Sequence, residues 1–351
     1  MLPVPRNIAA MEAKLVDALP EGEGWQFEPK WDGFRCIALR DGPDAELHAK
    51  SGKTLTRYFP EVVAELLKCR KTAFAVDGEL VIPVGRMLSF DALQMRLHPA
   101  ESRIRRLSLE TPALLVLFDC LADAGTRSLI KQPLTERRAA LESLFATFPA
   151  GSAFRLTPYV RKVAAAQKWL DRADGILDGV VAKRIDGPYV PGERAMLKVK
   201  RMRTADCVVG GFRYATDASV VGSLLLGLYD DQGRLNHVGF TSAIARKDRP
   251  ALTRKLEKMI EPPGFTGSAP GGPSRWSTER SAAWEPLRPE LVVEVRFDQV
   301  TGDRFRHGAA LLRWRPDKAP RQCTMEQMRP PARVNRIVRE ILSPSSRTAN
   351  P

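Results

Sequence analysis

Glu28-Pro29-Lys30-Trp31-Asp32-Gly33-Phe34-Arg35 crowds two acids, two cations and a turn glycine into the junction of two strand-like runs. Upstream, Trp25-Gln26-Phe27-Glu28 alternates apolar and polar residues. Downstream, Arg35 to Leu39 resumes a strand before a turn at Asp41-Gly42. Pro29 forces Glu28 into an extended conformation, so Glu28 and Lys30 point to one side of the chain, and Asp32-Gly33 supplies the bend that brings Arg35 back. A pocket lined by Lys and Arg suits phosphate. A lysine becomes a nucleophile once nearby cations or desolvation depress its pKa. Taken alone, the stretch fits a surface hairpin with ion pairs equally well.

Working outward, Glu61 to Leu67 has helical spacing, and Phe74 to Ile82 reads as a strand broken by Gly78. Leu114 to Phe118 is a further apolar strand, Thr135 to Phe145 and Val163 to Leu170 are helices, and Asp178 to Lys183 is a strand ending in cations. Everything to about Lys200 reads as one α+β unit. Beyond the basic stretch Lys198 to Arg203 come short strands at Cys207 to Phe212, Ser223 to Tyr229, Leu235 to Phe240 and Leu291 to Phe297, interrupted by one helix at Pro250 to Ile260. That texture suits a small Greek-key barrel such as an OB-fold. Pro262 to Ser274, rich in Pro and Gly, reads as a flexible insertion, and the tail beyond Ser343 as disordered.

At 351 residues the chain is long enough for two cores, and its formal net charge of +14 favours a polyanionic partner, with nucleic acid first. No uninterrupted apolar run approaches a membrane span and no signal-peptide pattern opens the chain, so it reads as cytosolic. Cys36, Cys69, Cys120, Cys207 and Cys323 are scattered singly, which excludes a zinc knuckle or a redox dithiol and predicts reduced, mostly buried thiols. His48, His98, His237 and His307 are equally dispersed. Chemistry therefore rests on Lys, Arg, Asp and Glu.

Four further clusters supply such residues. Asp77-Gly78-Glu79 sets acids into an apolar strand, where a carboxylate would bind a ribose hydroxyl or Mg²⁺, or else simply form a strand-end turn. Phe118-Asp119 ends a strand and would offer an aromatic face to a purine, although such a Phe is more often core. Asp178 to Arg184 repeats the order acid, glycine, apolar strand, cation, and Leu197-Lys198-Val199-Lys200 sets two lysines on one strand face, able to grip one phosphate. Arg313-Trp314-Arg315-Pro316-Asp317-Lys318 is a non-helical loop candidate for contacting a triphosphate from outside, and alone a solvated charge run.

In order and chemistry these words resemble the covalent nucleotidyltransferase superfamily of DNA ligases, RNA ligases and mRNA capping enzymes. Lys30 to Arg35 is similar to its motif I (Lys-x-Asp-Gly-x-Arg), Asp77 to Glu79 to motif III, Phe118-Asp119 to motif IIIa, Asp178 to Lys183 to motif IV, Lys198 to Lys200 to motif V and Arg315 to Lys318 to motif VI. Leu55 to Glu61 and Thr204 to Gly211 resemble in particular the short bacterial ATP-dependent DNA ligases of the LigC type. Two positions depart from the pattern. Ala49-Lys50-Ser51-Gly52 stands where motif Ia has Ser-Arg-x-Gly, which keeps the charge but loses the bidentate fork. Asp178 stands where motif IV opens with Glu, which shortens the carboxylate by one methylene.

The resemblance implies an α+β fold: an ATP-grasp-like nucleotidyltransferase domain with antiparallel sheets over 1–200, an OB-fold β-barrel domain over 201–342 and a tail over 343–351. It implies an enzyme that seals 5′-phosphate/3′-hydroxyl breaks in duplex DNA, with ATP and Mg²⁺ (or Mn²⁺), in repair. Lys30 would carry AMP; Glu28 and Phe118 would hold adenine, Arg35 and Glu79 the ribose, and Lys50, Lys198 and Lys200 the phosphate. Arg315, Asp317 and Lys318 would orient pyrophosphate, and Glu79 and Asp178 would bind the metal. A cytoplasmic, nucleoid-associated bacterial monomer acting on nicked or broken DNA, with DNA-repair proteins as further partners, completes the expectation. RNA ligases and guanylyltransferases share the lysine chemistry, and a degenerate, non-catalytic DNA-binding ligase is the rival of another class.

Overall fold

The computed structural model describes residues 2–123, 127–171, 177–216, 218–271, 283–329 and 336–342. The chain forms two compact units, one of residues 1–201 with 331–351 and the other of residues 202–330. The tail expected to be disordered and the last three residues of the Pro/Gly-rich insertion, 272–274, lie outside the described residues.

In the first unit, a five-stranded sheet runs in the order Asp44–Ala49, Phe34–Asp41, Ala73–Val81, Leu114–Ala122, Phe154–Leu156, antiparallel except for the last pair. A four-stranded sheet runs Ala13–Leu15, Met196–Lys200, Gly179–Arg184, Trp25–Lys30, with only its first pair parallel. The two-residue period of the strands sorts the side chains. Cys36 and Ala38 pack with Phe59, Val62, Leu66 and Leu141 on one face, while Ile37 and Leu39 turn to Ala75, Tyr189 and Met196 between the sheets. Helices Pro60–Leu67 and Leu134–Phe145 bury Val62, Leu66, Leu134, Leu141 and Leu144. Pro60 sits at the start of its helix, where its missing N–H is no loss.

Lys30 is thus the last residue of a strand in the four-stranded sheet, and Phe34 opens a strand of the five-stranded one. The bend between them requires Gly33, because an added Cβ would lie 2.1 Å from the Leu80 carbonyl oxygen. Trp31 is buried, and its Nε1–H donates to Thr157 Oγ1 at 2.9 Å. It packs in a cluster with Val81, Val116, Leu177 and three residues of the helix Arg336–Leu342, namely Ile337, Val338 and Ile341. Arg155 Nε also donates to the Ile341 carbonyl at 2.7 Å, as expected of a cation at a helix C-terminus. Residues 336–342 therefore belong to the first unit and not to the 201–342 domain that the sequence suggested. Their three apolar side chains are buried beside the Lys30 strand.

The second unit is an OB-fold built on an antiparallel sheet in the order Leu235–Thr241, Val221–Tyr229, Arg203–Tyr214, Val292–Phe297, Ala310–Trp314. Glu285–Pro286 adds to the strand Arg203–Tyr214, and the helix Arg249–Glu257 packs on the strand Val221–Tyr229. One apolar cluster joins Val208, Phe212, Leu224, Leu226, Val238, Leu256, Val293 and Phe305. Arg313 and Trp314 end a strand here and are not loop, as the sequence had suggested; the turn begins at Arg315, whose carbonyl accepts from Lys318 N–H at 3.2 Å.

Inside this unit His237 is buried, and its Nδ1 lies 2.7 Å from Arg304 Nη2. Burial first, then Arg304 and Arg213, push its pKa down from 6.5 to about 3. The folded value lies below the unfolded one, so the unfolded chain takes up the extra proton. The stabilisation is complete above about 6.5 and is lost as pH falls toward 3. Urea unfolding should weaken through this window by up to about 1.4 kcal/mol per pH unit more in the wild type than in His237→Gln. Identical pH profiles for the two proteins would refute the assignment.

Candidate active site

The strand register assembles the site. Lys30 faces Gly179 and Gly179 faces Lys200; Glu28 faces Val181 and Val181 faces Lys198. Two rows two residues apart therefore place Lys30, Lys200, Glu28 and Lys198 on one face of the four-stranded sheet. Gly179, at φ +144°, admits no side chain in the middle of the row, since a Cβ would lie 2.0 Å from Val199 O. Across the bend, Arg35 faces Glu79 in the five-stranded sheet. A cleft partly open to solvent brings together Glu28, Lys30, Arg35, Lys50, Glu79, Phe118 and Lys198. Lys200 and Asp178 adjoin it through ion pairs: Asp178 binds Lys30 directly and lies 3.9 Å from Lys200.

Burial tends to lower the pKa of Lys30, but its contact with Asp178, with smaller contributions from Glu79 and Asp32, outweighs this and raises it. The expectation that cations and desolvation would depress this pKa is corrected: the neighbour in contact is a carboxylate. Lys198 does shift down, by burial and then by the charges of Lys30, Lys200 and Lys50. Glu79 is pushed up to about 7 by burial, against the pull of Arg35 and Lys30. Lys50 is more than half exposed and pairs with Glu12 at 3.0 Å.

At the other end of the cleft, Glu28 is buried with both carboxylate oxygens engaged, by Gln26 Nε2 at 2.9 Å and by Lys183 Nζ at 2.7 Å. Lys183 also donates to Phe118 O at 3.2 Å and sits 4.8 Å from the Phe118 ring, with Arg35 4.5 Å from the same ring. Phe118 does not end its strand, which continues to Ala122; it meets the cleft from mid-strand. Lys183 had no role in the sequence reading, although its two-residue spacing from Val181, another wall residue, was the available signal. Two acids of the motifs serve as scaffold. Asp119 is held by Arg137 at 2.7 and 3.2 Å. Asp77 is fully buried and clamps Arg35 at 2.5 and 2.6 Å, leaving it unavailable to a ribose or a metal.

Arg315, Asp317 and Lys318 cluster within the second unit. All three guanidinium nitrogens of Arg315 are engaged by carboxylates, Nε and Nη2 by Asp317 and Nη1 by Asp206 at 2.8 Å, and Lys318 lies 3.6 Å from Asp206. All five cysteines are buried and unbridged. Among the described residues no helix is long and apolar enough to cross a membrane.

A lysine in a cleft lined by further cations, followed in the chain by an OB-fold, defines a nucleotidyltransferase architecture. The chain belongs to the ATP-dependent DNA ligases: the family model described as ATP dependent DNA ligase domain matches residues 8–200, and that described as ATP dependent DNA ligase C terminal region matches residues 217–318. It is 44% identical over 346 residues to DNA ligase C2 of Mycolicibacterium smegmatis, covering 94% of this chain and 96% of that one. It is 27% identical over 306 residues to the multifunctional non-homologous end joining protein LigD of the same organism, covering 86% of this chain and 37% of that protein. A solved structure from a study of Lig E DNA ligases shares the fold with TM-score 0.53 at 18% identity, covering 86% of this chain and all of its own.

Proposed function

We propose that this protein seals 5′-phosphate/3′-hydroxyl breaks in duplex DNA through an AMP adduct on Lys30. The observation that carries the reading is the convergence of Lys30, Lys50 and Lys198 with Glu28, Arg35, Glu79 and Phe118 on one cleft. Lys30 Nζ, once deprotonated, attacks the α-phosphorus of ATP; the N–P bond forms as the bond to pyrophosphate breaks, and pyrophosphate leaves with the electron pair. Lys198 and Lys200 offset charge on the α-phosphate, and Lys50 reaches it from the rim. Glu28 and Phe118 take adenine, while Arg35 and Glu79 take the ribose. A 5′-phosphate oxygen at the break next displaces Lys30 from phosphorus. Finally the 3′-hydroxyl attacks that 5′-phosphorus, closes the strand and releases AMP.

The donor set fits a hard divalent cation. Glu79 is a half-buried carboxyl whose pKa is raised to about 7, and Asp178 is a second carboxylate at the nucleophile. Among the described residues no three His, Cys, Asp or Glu side chains converge, so phosphate and water must complete the shell, as Mg²⁺ prefers. Bound at Asp178 and Glu79, Mg²⁺ or Mn²⁺ would neutralise phosphate charge and counter the carboxylate that holds the Lys30 proton.

The likeness to an end-joining protein and the net charge of +14 support a role in DNA repair, with repair proteins as partners, for a monomer working on the bacterial nucleoid in the cytoplasm. Incubation with labelled ATP and Mg²⁺, followed by a denaturing gel, should show label on the protein that transfers to nicked duplex DNA. A protein that seals nicks without ever carrying label would overturn the mechanism.

A further inference from the structure

Tyr189 lies outside every motif of the sequence reading, between the strands Gly179–Arg184 and Met196–Lys200. Its ring is buried between the two sheets with Ile37, Ala75 and Met196. Its hydroxyl belongs to a closed cycle of polar contacts. Tyr189 Oη donates to Asp77 Oδ2 at 2.6 Å and accepts from Met11 N–H at 2.9 Å. Asp77 accepts from Arg35 Nε at 2.5 Å and Nη2 at 2.6 Å, and Arg35 Nη2 donates to Met11 O at 3.2 Å. Two members, Met11 and Arg35, line the cleft; Asp77 and Tyr189 stand behind them.

The cycle does two things at once. It commits Nε and Nη2 of Arg35 to the protein, while Nη1 makes no hydrogen bond to another described residue. It also pins the segment Ala10 to Ala13, which forms one wall of the cleft and is tied further by Val190 N–H to Met11 Sδ at 3.2 Å and Glu12 N–H to Glu193 O at 2.7 Å. A guanidinium held by a bidentate carboxylate keeps one geometry, and a carboxylate that is itself buried and hydrogen-bonded cannot swing. We propose that Tyr189 is a positioning residue for the nucleotide: through Asp77 it fixes Arg35 so that the remaining edge of the guanidinium reads a ribose hydroxyl, and through Met11 it fixes the adjoining wall. The proposal rests on the assignment of Arg35 to the ribose.

Tyr189→Phe tests it, because the ring and its packing stay while the hydroxyl goes. Single-turnover self-adenylylation of the full chain is followed against ATP, 2′-deoxy-ATP and 3′-deoxy-ATP. The wild type should label less well with at least one deoxy analogue, by about tenfold or more, as loss of a hydrogen bond to a charged group implies. Tyr189→Phe should raise the half-saturating ATP concentration roughly 5- to 30-fold, leave the rate at saturation nearly unchanged, and erase most of the deoxy penalty. A general packing defect would weaken ATP and its deoxy analogues alike; an intact penalty in Tyr189→Phe therefore refutes the relay, as does an unchanged ATP requirement. Should Tyr189→Phe prove unfolded by its melting curve, Asp77→Asn, which keeps the shape and weakens the grip on Arg35, must erase the same penalty or the proposal falls. A wild type that labels equally with all three nucleotides overturns the Arg35 assignment and the proposal together. A wild type that never labels points instead to failure at Lys30.

Discussion

Lys30→Arg is expected to leave no AMP on the protein after incubation with labelled ATP, a loss of at least about three orders of magnitude in the single-turnover rate. The substitution separates chemistry from electrostatics. Lys30 is held by Asp178, and a neutral residue in its place would strip a buried carboxylate of its nearest counter-charge. A guanidinium preserves that pairing, so the cleft should keep its charge and the protein its melting temperature. What it cannot do is lose a proton to become a nucleophile. Because Asp178 raises the Lys30 pKa, attack must come from the deprotonated minority even in the wild type, which leaves no reserve for a group that never deprotonates. Undiminished labelling of Lys30→Arg would refute Lys30 as the acceptor; label lost along with the fold would be recognised from the melt.

Local sequence exposed those parts of the site that depend on local rules. Glu28 and Lys30, and likewise Lys198 and Lys200, share a face because strands have a two-residue period, and the bend at Asp32-Gly33 is visible in two consecutive letters. What register and long-range pairing decide stayed hidden. That Lys183 would close on Glu28 follows from the pairing of Ala182 with Phe27 and Lys183 with Gln26, across more than 150 residues of chain. That Asp77 would clamp Arg35, and so be scaffold, depends on burial that no spacing reveals. The helix Glu101–Glu110 was missed for another reason: it buries only Ile104, Leu107 and Ser108, a stripe too narrow to stand out from its arginines. The helix Arg336–Leu342 carries a clear apolar set, but nothing local tells which of two cores it will join.

Arg315→Ala is expected to slow self-adenylylation by about 10²- to 10³-fold, the usual cost of removing one donor to transition-state charge, while sparing the sealing of a nick that already carries AMP. The two outcomes part because triphosphate is present only in the first step. Arg315 offers a planar fork suited to phosphate, and in this structure Asp206 and Asp317 fill that fork with carboxylate oxygens. Its hydrogen bonds hold the Asp317 pKa down at about 2, so Asp317 stays ionised and available to release the guanidinium in exchange for another anion. Action on pyrophosphate therefore requires Arg315 to trade one set of oxygens for another, and a domain movement between steps is the ordinary way to arrange it. Lys198→Ala should behave differently and impair both reactions, because Lys198 lines the cleft proposed to hold the α-phosphate throughout. The structural alternative makes its own prediction. If Arg315 serves only to neutralise Asp206, Glu294 and Asp317, its loss leaves these acids relieved only by Lys318 and Arg313, and a loosened OB-fold should handicap both assays equally. Single-turnover rates on ATP and on pre-adenylylated nicked DNA, measured for both variants beside their melting curves, decide the matter. Equal losses for Arg315→Ala would refute its confinement to the first step.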